Sequence, residues 1–224
     1  MIRAAVFDAY GTLLDVHAAM AMHAAKIGPD WERLSQEWRW KQLEYTWVRS
    51  LAGAALHRDF FTVTREALHF VAARFGITDQ TLLTDLLATY RQLPAHPEVP
   101  EMMARVQAMG IGRTVLSNGE PGMLGAAMRA AKIDHLLDHV LSIERVGVYK
   151  PDPRVYRIAT ERFGAEPSDV AFVSGNPWDC HGALTFGFRV FHVDRKGEPD
   201  EYGIKDRAEV MSDLSTLLEL LSVA

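Results

Sequence analysis

From Gly112 onward, short apolar runs alternate with helical segments, and few folds accommodate that pattern. Gly112–Ser117, 140–143, Val170–Ser174 and Arg189–Val193 read as strands, while 122–131, 154–163, 178–186 and 213–221 read as helices. Strands that are apolar throughout suit a sheet covered on both faces. The alternation predicts an α/β fold with a doubly wound, mostly parallel sheet. One more apolar run, 2–7, stands apart at the start and ends in Asp8, with a glycine turn at Gly11.

Between that first run and the alternating part the pattern is helical. Leu34, Trp38, Leu43, Trp47 and Leu51 recur at spacings near three and four, predicting an amphipathic helix over 31–51. Segments 60–75 and Gln80–Tyr90 predict two more, with Gly28, Gly53 and Gly76 as punctuation. Pro94, Pro97 and Pro100 make a stiff return before a helix at about 101–109. The expected organisation is a core of 1–15 plus 97–224, with a helical cap of 16–96 above the carboxyl edge of the sheet.

Composition narrows the function. The 224 residues carry 24% charged and 48% hydrophobic side chains and a formal net charge of -5. There is no basic surface for nucleic acid, and no apolar run approaches the roughly 20 residues of a membrane span. Cys180 is the one cysteine, so an internal disulfide is excluded. With a strand directly at the start and no signal peptide pattern, a reducing cytoplasm is the expected location.

In a parallel α/β sheet, ligands bind at the carboxyl ends of the strands, so Asp8 stands where a nucleophile belongs or else merely opens a turn. The stretch Phe7-Asp8-Ala9-Tyr10-Gly11-Thr12-Leu13 resembles the first motif of the haloacid dehalogenase superfamily, whose members use that aspartate as a covalent nucleophile. Most of them are magnesium phosphatases with a second Asp two positions on. Here that position is Tyr10, and an aromatic ring offers a hard cation no carboxylate oxygen. Asp-x-Tyr-Gly-Thr is the form of the L-2-haloacid dehalogenase branch. Thr12 then either fixes the Asp8 rotamer or caps the following helix.

The other strand ends extend the resemblance across essentially the whole chain. Ser117-Asn118-Gly119 reads as a plain turn or as a small anion nest; the branch implies that Ser117 and Asn118 bind the substrate carboxylate. Lys150-Pro151-Asp152-Pro153 places a lysine at a helix entrance, where an ammonium would stabilise a charged Asp8. Tyr156 follows at the spacing of the family's third motif. In Ser174-Gly175-Asn176-Pro177-Trp178-Asp179, Asn176 replaces a second acidic metal ligand, so neither Tyr10 nor Asn176 suits a magnesium site. Asp179 remains, to orient Lys150 or a hydrolytic water or to sit as a first-turn helix acid.

In the helical block, Trp38-Arg39-Trp40-Lys41-Gln42-Leu43 is similar to a run in the same branch whose arginine receives the departing halide, a role the resemblance gives to Arg39. Trp40 narrows the cavity if it faces inward, and Leu43 and Phe60 are candidates for an apolar wall. The nine histidines show no metal-ligand spacing. The resemblance thus implies a cofactor-free hydrolase in which Asp8, Thr12, Arg39, Lys150, Asn176 and Asp179 carry the chemistry. Ala9, Tyr10, Trp40, Leu43, Phe60, Ser117, Asn118, Tyr156, Ser174 and Trp178 would line the pocket. The expected ligands are a short haloacid and a halide, and the expected assembly is a homodimer. Two rivals stay open on sequence alone: a phosphatase for a small phosphate ester, and a silent binding protein on the same fold.

Overall fold

The computed structural model describes residues 2–223. Among them, six parallel strands form a single sheet in the order β3-β2-β1-β4-β5-β6. These are β1 (Ala4–Phe7), β2 (Gly112–Ser117), β3 (His139–Ser142), β4 (Val170–Ser174), β5 (Arg189–Val193) and β6 (Glu209–Met211). β1 and β4 are buried along their whole length, as continuous apolar runs in a doubly covered sheet should be. The predicted fold class is the observed one.

Among the described residues, ten α-helices surround the sheet. Five lie between β1 and β2: α1 (Ala18–Met22), α2 (Ala24–Ile27), α3 (Trp31–Ala52), α4 (Phe60–Arg74) and α5 (Gln80–Tyr90). Then follow α6 (Val99–Ala108), α7 (Pro121–Ala130), α8 (Pro153–Phe163), α9 (Pro177–Phe186) and α10 (Leu217–Val223). Side-chain acceptors cap several starts: Asp59 for α4, Asp79 for α5, Glu120 for α7 and Asp152 for α8. Periodicity placed the long helices to within one or two residues. It did not single out α1, α2 or the edge strand β6 (Glu-Val-Met), which is three residues long with Glu209 and Val210 exposed and Met211 buried, too short to show a period.

The chain leaves and re-enters the sheet region through one neck. Asp15 N–H donates to Pro94 O at 3.0 Å and His96 N–H to Leu13 O at 2.9 Å, with an antiparallel bridge between Leu14 and Ala95. Everything in α1 to α5 hangs from that neck.

The strand order places the reacting groups. β1 sits in the middle, with β2 on one side and β4 on the other. Phe7 is level with Val115 and with Val173, so the next residue on each strand, Asp8, Leu116 and Ser174, lies at a common height. Chain crossovers to opposite sides of β1 open a crevice there.

Candidate active site

Asp8 follows β1 directly and is 5% exposed. Three donors converge on its carboxylate. Thr12 Oγ1 donates to Oδ2 at 2.9 Å, Asn176 Nδ2 to the same oxygen at 2.8 Å, and Lys150 Nζ to Oδ1 at 3.1 Å. The turn after Asp8 makes this possible. Gly11 adopts φ +87°, a region L side chains avoid, and the turn brings Thr12 back over the carboxylate. Thr12 also accepts from Gly175 N–H at 2.8 Å, locking the β1 turn to the β4 turn.

The β1 and β4 turns touch so closely that position 175 admits no side chain. A Cβ on Gly175 would stand 2.4 Å from the backbone oxygen of Gly11. Gly175→Ala is expected to destabilise the chain by about 1–3 kcal/mol through overpacking and to displace Thr12 and Asn176 from Asp8. A thermal melt beside an activity assay checks both, and an unchanged melting temperature would contradict the close approach.

Lys150 is fully buried and bridges two carboxylates, Asp8 and Asp179, the latter at 2.8 Å. Burial works against its charge, but the paired Asp179 and Asp8 outweigh burial and hold the ammonium above the usual lysine range. A buried ion pair of this kind is tolerated only when its remaining groups are hydrogen-bonded. They are: Asp179 also accepts from Tyr156 Oη at 2.7 Å and Ser174 Oγ at 3.2 Å. Burial pushes the Asp179 carboxyl up to about 6; the Asp8 charge adds to this and Lys150 opposes it.

Arg39 reaches this cluster from α3. Its Nη2 donates to Tyr10 O at 3.1 Å and to Asn176 Oδ1 at 3.4 Å, while Nη1 donates to Gln42 Oε1 at 2.7 Å. Six residues from separate parts of the chain, Asp8, Thr12, Arg39, Lys150, Asn176 and Asp179, thus form one connected network. Two cavities flank it. One of about 560 Å³ is bounded by Arg39, Asn176, Gly11 and the 194–205 loop. The other, about 430 Å³, lies among Trp47, Lys150, Trp178 and Tyr202. Neither is lined by Asp8, which sits closed off between them.

The pocket-lining expectations divide. Tyr10 is buried against Phe60 and Tyr90, with ring centroids 5.4 and 5.7 Å away, and its hydroxyl has no hydrogen-bond partner. Asn118 Oδ1 accepts from Lys150 N–H at 3.0 Å, and Ser117 Oγ from Gly119 N–H at 3.2 Å, so both belong to the loop beside Lys150. Trp178 is half-buried and meets Trp47 edge-on. Leu43 is 5% exposed and Phe60 fully buried, which suits an apolar wall.

One expectation needs correction. Trp40 does not narrow a cavity: it is 60% exposed and its ring meets that of Trp47 edge-on. Tyr156 and Ser174 are fully buried and their hydroxyls donate to Asp179, Tyr156 standing among Phe172, Phe186 and Phe188. Ala9 has its carbonyl engaged in the turn, accepting from Leu13 and Leu14 N–H at 3.0 and 2.9 Å. A further difference is local. Pro153, not Pro151, takes the first position of α8, so Lys150 lies in the turn before the helix.

Sequence reasoning passed over Gln42, Gly175 and Tyr90. The signal for Gln42 was present, because residues three apart on a helix share a face and Gln42 stands at that distance from Arg39. Among the described residues, no group of three or more His, Cys, Asp or Glu is placed to hold a metal ion, and no helix is long and apolar enough to cross a membrane.

The pattern of the haloacid dehalogenase-like hydrolases matches residues 2–187. The chain belongs to that family. Within it, the chain is 44% identical over 221 residues to (S)-2-haloacid dehalogenase 1 of Pseudomonas sp., covering 98% of this chain and 96% of the relative. It is 42% identical to (S)-2-haloacid dehalogenase 4A of Burkholderia cepacia, over 99% and 95% of the two chains. The structure of L-2-haloacid dehalogenase from Xanthobacter autotrophicus with chloropropionic acid covalently bound superposes with a TM-score of 0.90, 32% identity and 99% coverage of each chain. These likenesses place this haloacid dehalogenase-like hydrolase in the L-2-haloacid dehalogenase branch.

Proposed function

We propose that the chain hydrolyses short L-2-haloalkanoic acids, such as haloacetates and 2-chloropropionate, to 2-hydroxy acids with inversion. The observation that carries this reading is the Asp8 carboxylate held by Thr12, Asn176 and Lys150 with no second carboxylate at positions 10 or 176. A nucleophile so held attacks carbon in an in-line displacement. An Asp8 oxygen forms a bond to Cα, the carbon–halogen bond breaks, and its electron pair leaves with the halide. The product is an ester on Asp8, which divides one hard step into two easier ones.

Each neighbour has a part in this. Ser117, Asn118 and the adjoining N–H groups receive the substrate carboxylate. Arg39 and Asn176 receive the halide, since charge-assisted donors stabilise a nascent anion. Tyr10, Leu43, Phe60 and Trp178 form the apolar surround that excludes bulk water. Water then attacks the Asp8 carboxyl carbon, the acyl–oxygen bond breaks, and the hydroxy acid departs. Asp179, whose carboxyl burial raises to about 6, suits acceptance of the water proton. Every step uses side chains of this chain alone, so no cofactor is required.

We further assign 1–15 and 97–224 to a core domain and 16–96 to a cap, on the strength of the single neck at 13–15 and 94–96. A homodimer is supported by the exposed Trp40, Val48 and Leu51 along α3.

The experiment is halide release from chloroacetate and from the two 2-chloropropionate enantiomers, with chelator present. Release from the (S) enantiomer only is expected. No release, or turnover of an aryl phosphate that requires magnesium, would defeat the reading. The pH profile adds a second check. Since Asp179 must be charged to hold Lys150 and take a proton, kcat should fall as pH drops through about 6. A rate that stayed flat well below that value would remove Asp179 from this role.

A further inference from the structure

Behind Arg39 stands a chain of polar side chains that is closed off from solvent. Gln42 is 1% exposed, Thr64 0% and Tyr90 2%. Gln42 Oε1 accepts from Arg39 Nη1 at 2.7 Å and from Tyr90 Oη at 3.1 Å. Its Nε2 donates to Thr64 Oγ1 at 2.6 Å, and Thr64 Oγ1 in turn donates to Phe60 O at 2.7 Å. The backbone of Thr64 is pinned as well, because Trp38 Nε1 donates to Thr64 O at 2.9 Å.

This network leaves the amide one orientation. Oε1 has two lone pairs and both are used; turned over, the amide would set N–H groups against a guanidinium and a hydroxyl donor. A buried amide deprived of such partners is costly, so Gln42 has a fixed site for one cation. Arg39 has five N–H groups. The bonds to Gln42, Tyr10 O and Asn176 Oδ1 fix it from α3 on one side and from the β1 and β4 turns on the other.

The geometry points to Gln42, seated on Thr64 and Tyr90, as the positioning residue that aims Arg39 at the leaving halide. This deepens the dehalogenase reading and rests on it. Charge on the halide develops only as the carbon–halogen bond breaks, so a misaimed guanidinium weakens the transition state more than the ground state. The loss must be larger for chloride, the poorer leaving group, than for bromide. A defect that merely loosened the fold would lower both rates together.

The test uses the full chain and kcat/KM for chloroacetate and bromoacetate, a quantity that reports events up to the displacement. For Gln42→Leu, kcat/KM with chloroacetate is expected to fall about 10- to 100-fold, and the bromide-to-chloride preference to rise about threefold or more. Tyr90→Phe, which removes one tether of the amide and keeps the ring, should shift the preference the same way by a smaller factor. Gln42→Glu, which keeps an acceptor facing Arg39, should hold the preference near that of the parent. Equal losses with both acids in folded Gln42→Leu would overturn the inference. If that variant does not fold, an unchanged preference in Tyr90→Phe overturns it. Should the parent chain itself release no halide from either acid, the dehalogenase reading and this inference fall together; an active parent with an unchanged preference in the variants strikes this inference alone.

Discussion

Asp8→Asn is expected to abolish halide release while the chain still folds. A carboxamide nitrogen has its lone pair delocalised into the carbonyl, and the amide oxygen is a far weaker nucleophile than a carboxylate. Asp179, the other carboxylate that Lys150 holds, is fully buried and bonded to Lys150 Nζ at 2.8 Å, so it is not free to take over. The expected fall in kcat is at least about 10⁴-fold, the scale seen when a covalent nucleophile is removed. Stability falls modestly. Thr12, Asn176 and Lys150 all donate to Asp8, and an asparagine turns one of those acceptor sites into an opposing donor. Such a mismatch costs about 1–3 kcal/mol, while Lys150 keeps its partner Asp179. Halide release, circular dichroism and quenched mass spectrometry check the result: the parent carries a transient ester on Asp8 and the variant carries none. Turnover surviving in the variant would exclude Asp8 as the nucleophile.

Lys150→Met is expected to have the second largest effect, on stability as well as rate. Methionine fills much of the same space but leaves Asp8 and Asp179 facing one another without the ammonium they share. Removing one member of a buried ion pair costs about 3–5 kcal/mol, because the charge left behind has lost its compensation. Two buried carboxylates relieve this by retaining a proton, which raises the pKa of the pair in the folded state above its unfolded value. The sign follows from linkage. A carboxyl raised on folding contributes stability that is full below its unfolded pKa and is lost as pH rises through the folded one. Lys150→Met should therefore be more stable in acid than at neutral pH. In the parent, Asp179 gives the same tendency up to about 6. Urea unfolding at pH 5 and pH 8 measures the difference; equal stability of the variant at both would contradict the shared-ammonium geometry.

Sequence reading succeeded at strand ends and failed at orientations, for one physical reason. An apolar run buried on both faces, broken by a turn, marks the carboxyl end of a parallel strand, and that end lies in the ligand crevice whatever the details of packing. Asp8, Lys150, Asn176 and Asp179 were legible on that ground and by their motifs. Trp40 was misjudged although the periodicity was right. Successive helical residues point about 100° apart, so the face that carries Arg39 and Gln42 inward turns Trp40 to solvent. Tyr156 and Ser174 sit at motif spacing, yet spacing along the chain does not say whether a hydroxyl meets a ligand or another side chain. Both turn onto Asp179. β6 gave no period because three residues, Glu209 to Met211, are too few to show an alternation.

The linear order of residues was enough for the parallel α/β sheet, the helical block that follows its first strand, the place of Asp8 at that strand's carboxyl end, and the presence of Tyr10 and Asn176 where a metal site would need acids. Those properties are local, set by periodicity, turn chemistry and residue type. Which donors close around Asp8, that Lys150 serves two carboxylates, and that Gln42 backs Arg39 depend on contacts between residues as far as 168 positions apart. Contacts of that separation exist only once strand order and packing have brought the segments together.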